Sequence, residues 1–368
     1  MKYLSYKVIF CCIFFLISLS NPLLVFSANI PIKEIVFFGD SLSDDGNLYR
    51  IDFGVLPKSP PYFQGRFSNG EVWSDLVAQY YQTKNGINFS NYAVGGETVI
   101  FHDPVKGYLP FSLTASLDEY LLKSAFSDRE NTLFIIWIGA NDYLPGTTNV
   151  DELTTTIVNN IKADIERLIY HGGLNFLILN LPDLSKTPYG QTSAIHDELY
   201  QLASMHNTKL MSAITEIQQN YKGVNIYLYD VNQLFNDFLT NITFYNQKYN
   251  MNITNTTTPC WQGAYTHQQV YQTAKVQAWL NRMHKQSPLP VKNNKKVVDI
   301  DSAELANYIV SSPDLMEAYQ LSQANDGSLC PNPENYMFWD HVHITTVIHR
   351  VLSQYVIDYI NLNFTAIA

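Results

Sequence analysis

Four apolar residues in succession, Ile35-Val36-Phe37-Phe38, open a series of similar runs spaced along the chain. A run this short with no polar alternation predicts a strand buried on both faces. The stretch 132–138 is the most apolar of the series, 175–181 and 224–230 repeat it, and 87–93 alternates as a strand does. Between these runs the spacing changes to helical. Val72, Trp73, Leu76, Val77 and Tyr80 fall at three- and four-residue intervals and predict an amphipathic helix over 71–81. Further helices are predicted over 113–125, then through Leu153, Ile157, Ile161, Ile165 and Leu168 up to Gly172-Gly173, and over 193–221. Five strands alternating with helices give an α/β fold, a parallel sheet with helices on both faces. The Asn/Thr-rich stretch 240–259 reads as a solvated loop. Helices are predicted at 266–285 and 303–322, on either side of the polar stretch 291–296, and a last helix runs to about Tyr359.

Composition adds a destination. Lys2 and Lys7 precede an apolar run from Val8 to about Leu19, and Val25-Phe26-Ser27-Ala28 follows. This predicts a secretory signal peptide over 1–28, leaving 29–368 as a single domain; Asn21-Pro22 in mid-span argues against an uncleaved anchor. Cys11 and Cys12 would leave with the signal, so the mature chain keeps Cys260 and Cys330. In an exported chain two cysteines read as one disulfide sooner than as a metal site, since zinc needs further ligands at short spacing. That bond would close 260–330 into a tethered insertion. The net charge of −10 argues against nucleic acid as a partner and against a polybasic grip on anionic lipid. Membrane contact would then be transient and apolar, drawn from a chain with 25 Tyr, 20 Phe and 5 Trp.

Candidate chemistry lies at the strand ends. Gly39-Asp40-Ser41 ends the first strand and sets a hydroxyl at the mouth of the sheet, where the alternative is a serine that caps a helix. Gly95-Gly96 follows the second strand and lets a backbone amide face a cleft, or else simply makes a turn. Asn141 follows the third strand, at the sheet edge where open α/β folds hold ligands. Asp340 and His343 are three residues apart, a spacing that brings a carboxylate to one imidazole nitrogen and leaves the other facing outward. Such a pair can also be an ordinary surface contact.

Taken in order, Gly39-Asp40-Ser41-Leu42, Asn91-Tyr92-Ala93-Val94-Gly95-Gly96, Gly139-Ala140-Asn141-Asp142 and Asp340-His341-Val342-His343 resemble the four blocks of a GDSL-type esterase/lipase of the SGNH hydrolase superfamily, in the branch of bacterial secreted phospholipases and acyltransferases. The resemblance implies a three-layer α/β/α, flavodoxin-like fold with a five-stranded parallel sheet. It implies Ser41 as nucleophile, His343 as base and Asp340 as its carboxylate, with an oxyanion hole from the amides of Ser41 and Gly96 and the side chain of Asn141. No cofactor and no metal are implied. The expected substrate is a phospholipid or lysophospholipid ester, with a lysolipid or sterol as acyl acceptor where transfer replaces hydrolysis. A carbohydrate or short-chain esterase, and a non-catalytic binding or adhesion protein, are the alternatives. Two departures stand out in the last block, Ile344 where the family has proline and a second imidazole at His341. The 260–330 segment is also longer than the family pattern. It is either a tethered cover for the core or a lid or inhibitory loop that a protease cuts near Lys292 to Lys296.

Overall fold

Phe37 and Phe38 point to opposite faces of one strand, and each meets an aromatic ring from a different helical layer. Phe37 meets Trp73 at 5.7 Å between ring centroids, and Phe38 meets Tyr120 at 5.9 Å. This is why the first apolar run shows no alternation: both faces are covered. The computed structural model of the chain describes residues 32–100, 111–125, 127–262, 273–286, 302–312, 315–316, 318–319 and 328–364. The expected signal peptide and the stretch 292–296 lie outside the described residues.

The central sheet comprises β1 (Glu34–Gly39), β2 (Asn88–Asn91), β3 (Thr132–Trp137), β4 (Asn175–Leu179) and β5 (Asn225–Tyr229). Every pairing is parallel, and the order is β2-β1-β3-β4-β5. The helices are α1 (Asn47–Ile51), α2 (Trp73–Asn85), α3 (Leu113–Lys123), α4 (Val150–Tyr170), α5 (Pro188–Thr192), α6 (His196–Asn220), α7 (Val231–Thr240), α8 (Ile242–Tyr249), α9 (Thr273–Gln286), α10 (Ser302–Ser311) and α11 (Thr346–Asn363). Helix α2 packs on α11 over one face of the sheet, and α4 packs on α3 and α6 over the other. The fold is therefore the expected three-layer α/β/α with a five-stranded parallel sheet. The direction of winding reverses between β1 and β3, and such a switch point opens a crevice at the carboxyl ends of the strands.

Short strands complete the molecule. β6 (Asn255–Pro259) runs parallel to β9 (Tyr336–Phe338), and β7 (Trp261–Gln262) pairs antiparallel with β8 (Ser328–Leu329). The stretch 240–259 is thus no plain loop: it carries α8 and β6. Tertiary contacts override its polar composition, with Tyr245 of α8 packed on Phe238 at 4.2 Å between ring centroids and β6 held by β9. Cys260 and Cys330 are joined, 70 residues apart, at the foot of the insertion. Its helices α9 and α10 form a second core, in which Val276, Leu280, Leu305 and Ile309 bury themselves against Leu48, Leu56, Phe67 and Val94.

Candidate active site

Strands β1 and β3 pair Gly39 with Trp137, and a Cβ on Gly39 would lie 2.4 Å from the Trp137 carbonyl oxygen. Only glycine permits that approach. The turn that follows is tight: the Asp40 carbonyl accepts the N–H groups of Ser43 (2.9 Å) and Asp44 (3.0 Å). Ser41 sits at its apex and caps no helix. The Asp44 carboxylate takes up the first amides of α1 instead, from Gly46 (2.7 Å), Asn47 and Leu48 (3.1 Å).

The acid and base come from the loop after β9. The Trp339 N–H donates to the His343 carbonyl at 2.8 Å and closes the loop. Within it Asp340 Oδ1 accepts the N–H groups of Val342 (2.8 Å) and His343 (2.6 Å), an Asx-type turn that fixes the carboxylate before the imidazole arrives. His343 Nδ1 lies 2.7 Å from Asp340 Oδ2, and its Nε2 lies 2.8 Å from Ser41 Oγ. With Asp340 ionised, Nδ1–H donates to it and Nε2 is left to accept the serine hydroxyl. The Tyr62 hydroxyl donates to Asp340 Oδ2 at 2.7 Å, and the Phe67 ring lies 5.0 Å from the imidazole. Burial works to raise the Asp340 carboxyl, but the positive charge and hydrogen bond of His343, its amide and Tyr62 outweigh it and hold the carboxyl below its ordinary value. His341 stands beside this relay, its carbonyl accepting the Tyr189 N–H at 2.9 Å. Ile344 is buried, bridges to Phe338, and accepts the Ser68 hydroxyl on its carbonyl at 2.9 Å.

Gly96 and Asn141 face the same crevice from β2 and β3. The Val94 N–H donates to the Gly39 carbonyl at 3.0 Å, which ties the Gly-Gly turn to the serine strand. Gly96 takes φ +76°, a left-handed conformation that favours glycine. Asn141 Nδ2 donates to the Glu97 carbonyl at 3.0 Å, leaving its second hydrogen for the crevice. Among the described residues, the main-chain N–H groups of Ser41 and Gly96 meet no protein acceptor. Burial pushes the Asp44 carboxyl up to about 6 and the Glu97 carboxyl well above its ordinary value. A cavity of about 400 Å³ opens beside Gly96 and Asn141, with Thr98, Phe111, Leu153 and Tyr308 in its wall. Ser41 and His343 do not line it and are only 4% and 1% exposed.

A serine, an imidazole and a carboxylate at bonding distance, opposite free amides, is an arrangement for acyl transfer. The model of the GDSL-like lipase/acylhydrolase family matches residues 35–356. The chain belongs to that family. Ester hydrolysis is accordingly its reaction class. This GDSL-family chain is 28% identical over 327 residues to a phosphatidylcholine-sterol acyltransferase from Aeromonas hydrophila, the match covering 88% of each chain. It is 32% identical over 206 residues to the secreted effector protein SseJ of Salmonella typhimurium, covering 55% of this chain and 48% of that one. An inactive GDSL esterase/lipase-like protein 23 from Arabidopsis thaliana is 27% identical over 285 residues, covering 66% of this chain and 72% of the other.

Of the residues predicted for the site, Ser41, Asp340 and His343 are hydrogen-bonded in line, Gly96 and Asn141 line the cavity, and Cys260 and Cys330 form the disulfide. Tyr62, Asp44 and Glu97 were not singled out. Asp44 stands two residues beyond the first block and precedes a helix start, a pattern that signals a capping carboxylate. Tyr62 carries no such signal, because its partner lies 278 residues away.

Proposed function

We propose that the chain is an exported serine lipolytic esterase that cleaves acyl esters of phospholipids or lysophospholipids through an acyl-Ser41 intermediate. The observation that carries this reading is the relay of 2.8 Å and 2.7 Å from Ser41 through His343 to Asp340. Ser41 Oγ attacks the ester carbonyl as its proton passes to His343 Nε2. The imidazolium, held by Asp340, then returns that proton to the departing alcohol. The amides of Ser41 and Gly96 and the Asn141 side chain receive the oxyanion. Water closes the cycle by hydrolysis, and a lysolipid or sterol hydroxyl closes it by transfer.

Support for a lipid substrate comes from the relative named a phosphatidylcholine-sterol acyltransferase, matched along 88% of both chains, and from the partly apolar cavity beside the oxyanion donors. Among the described residues no helix is long and apolar enough to cross a membrane. The insertion is proposed to act as a lid. The near-complete burial of Ser41 and His343 supports it, since an ester cannot enter while Ser312 and Leu315 close over Gly96. A protease cut at 292–296 would separate α9 from α10 and leave α10 tethered through the disulfide.

The test is a mixed panel of phospholipids, lysophospholipids, sterol, short-chain esters and acetylated xylan, read by mass spectrometry for wild type and Ser41→Ala. Fatty acid released from the phospholipids, and lost in the variant, is the expected result. Turnover of the acetylated glycan or short esters alone would overturn the lipid reading.

A further inference from the structure

Helix α10 belongs to the insertion, yet its Tyr308 reaches into the hydrolase core. The ring is buried against Phe111, 4.5 Å between centroids, and the hydroxyl donates to the Gly95 carbonyl at 2.6 Å. That oxygen and the Gly96 N–H are the two ends of one planar peptide unit. The unit is trans, so the two groups point in opposite directions, and whatever fixes the oxygen aims the N–H. The Glu97 N–H donates to the Val94 carbonyl at 3.0 Å and closes a turn around this unit, but with glycine at both central positions such a turn permits either orientation of the peptide between them. The preceding peptide is pinned separately, by the Gly95 N–H donating to Asp44 Oδ2 at 2.8 Å. Beyond α10, the same segment closes over Gly96: a Cβ there would lie 2.6 Å from Leu315 Cδ1 and 2.9 Å from Ser312 Oγ.

We propose that Tyr308 is a positioning residue for acyl transfer: by holding the Gly95 carbonyl it aims the Gly96 N–H at the developing oxyanion. The same hydrogen bond polarises the peptide and makes its N–H a stronger donor. The insertion is then a working part of the site as well as its cover. This inference rests on the acyl-Ser41 reading. It also requires α10 to stay seated on Gly95 during turnover, so that opening for substrate moves Leu315 away from Gly96 rather than Tyr308 itself.

The experiment is steady-state kinetics of Tyr308→Phe in the full chain with its disulfide formed, on a soluble fatty-acyl ester. The ring and its packing on Phe111 are kept, and only the hydroxyl goes. The expected result is a fall in kcat of about ten- to a hundredfold with KM changed less than about twofold, and a parallel fall in the rate of fluorophosphonate labelling, since the phosphonyl oxygen uses the same donors. In an Asn141→Ala background the further loss should be smaller, because both changes weaken one hole. An unchanged kcat, or a raised KM with kcat retained, would overturn the proposal and leave Tyr308 as a wall of the cavity. A difluorotyrosine at 308 covers the case in which Tyr308→Phe does not fold. Its hydroxyl is more acidic than that of tyrosine, and its ionisation is followed by phenolate absorbance in the same samples with pH raised until the phenolate forms, so kcat should fall as the phenolate appears and track wild type below that pH; a kcat that stays at the wild-type value while the phenolate forms would overturn the proposal equally. Ser41→Ala and Asn141→Ala separate the two failures. Full activity in those variants sinks the acyl-Ser41 reading, whereas their inactivity beside a fully active Tyr308→Phe sinks only the role of Tyr308.

Discussion

Tyr62 gives Asp340 a hydrogen bond that its own loop cannot, on the carboxylate oxygen that faces His343 Nδ1. Removing that hydroxyl leaves the triad atoms in place but loosens the carboxylate that orients the imidazole. Tyr62→Phe should therefore lower kcat by about tenfold, worth about 1.4 kcal/mol of barrier, with KM little changed. Asn141→Ala deletes an oxyanion donor outright, and kcat should fall by about a hundred- to a thousandfold. Steady-state kinetics on one soluble ester checks both. The residues differ in how they could be found. Ser41, Asn141, Asp340 and His343 each stand where a strand ends or the last helix begins, so local pattern marks them. Tyr62 and Tyr308 act across 278 and 213 residues of sequence, and no local pattern points to a partner at such distance.

Among the elements, those covered on both faces were plain in the sequence. The run of β3 is buried from Thr132 to Trp137, with Phe134 turned to Tyr120 and Trp137 turned to Trp73. The edge elements were not plain, since α8 and β6 gain their order from neighbours rather than from propensity. The helix expected over 303–322 is interrupted after Ser311, two residues before Pro313 in the sequence, where the chain before a proline leaves the α region, and Leu315, Met316, Ala318 and Tyr319 are helical again. The insertion itself depends on its disulfide. The bond lies beside Trp261, Trp339 and Tyr62, and the Cys260 N–H donates to the Phe338 carbonyl at 3.0 Å, directly before the acid-base loop. Replacing both cysteines by serine should lower unfolding free energy by up to about 4 kcal/mol, the loop-entropy estimate for 70 residues, measured by denaturant titration. Activity should fall as well, because the strand that carries Asp340 loses its brace. Retained stability would mean that the second core alone holds the insertion.

On the scale of the whole molecule, the charge buried in the fold sets how it responds to acid. Burial holds His206 down to about 3, and burial with the charge of His343 does the same to His349. Both are neutral when folded, so their contribution is present above the ordinary histidine value of about 6.5 and is lost as pH falls from there toward 3. Buried Asp44 and Asp164, raised to about 6, act in the opposite sense: their contribution is full below the ordinary aspartate value and is lost as pH rises through about 6. Comparing His206→Phe with wild type isolates one histidine. Between pH 6 and pH 5 the variant's unfolding free energy should fall less steeply, by up to about 1.4 kcal/mol per pH unit. Equal slopes would mean that His206 is protonated in the folded state. The topology was legible from alternation alone, while the docking of α9 and α10 onto Leu48, Phe67 and Val94 was not, since those contacts join the two ends of the chain.

The central claim is that Ser41 is the acylated atom, and mapping a fluorophosphonate adduct by peptide mass spectrometry tests it most directly. A single adduct on Ser41 is predicted, absent from Ser41→Ala together with ester turnover. An adduct on another residue, or a Ser41→Ala chain that still cleaves ester at the wild-type rate, would contradict it.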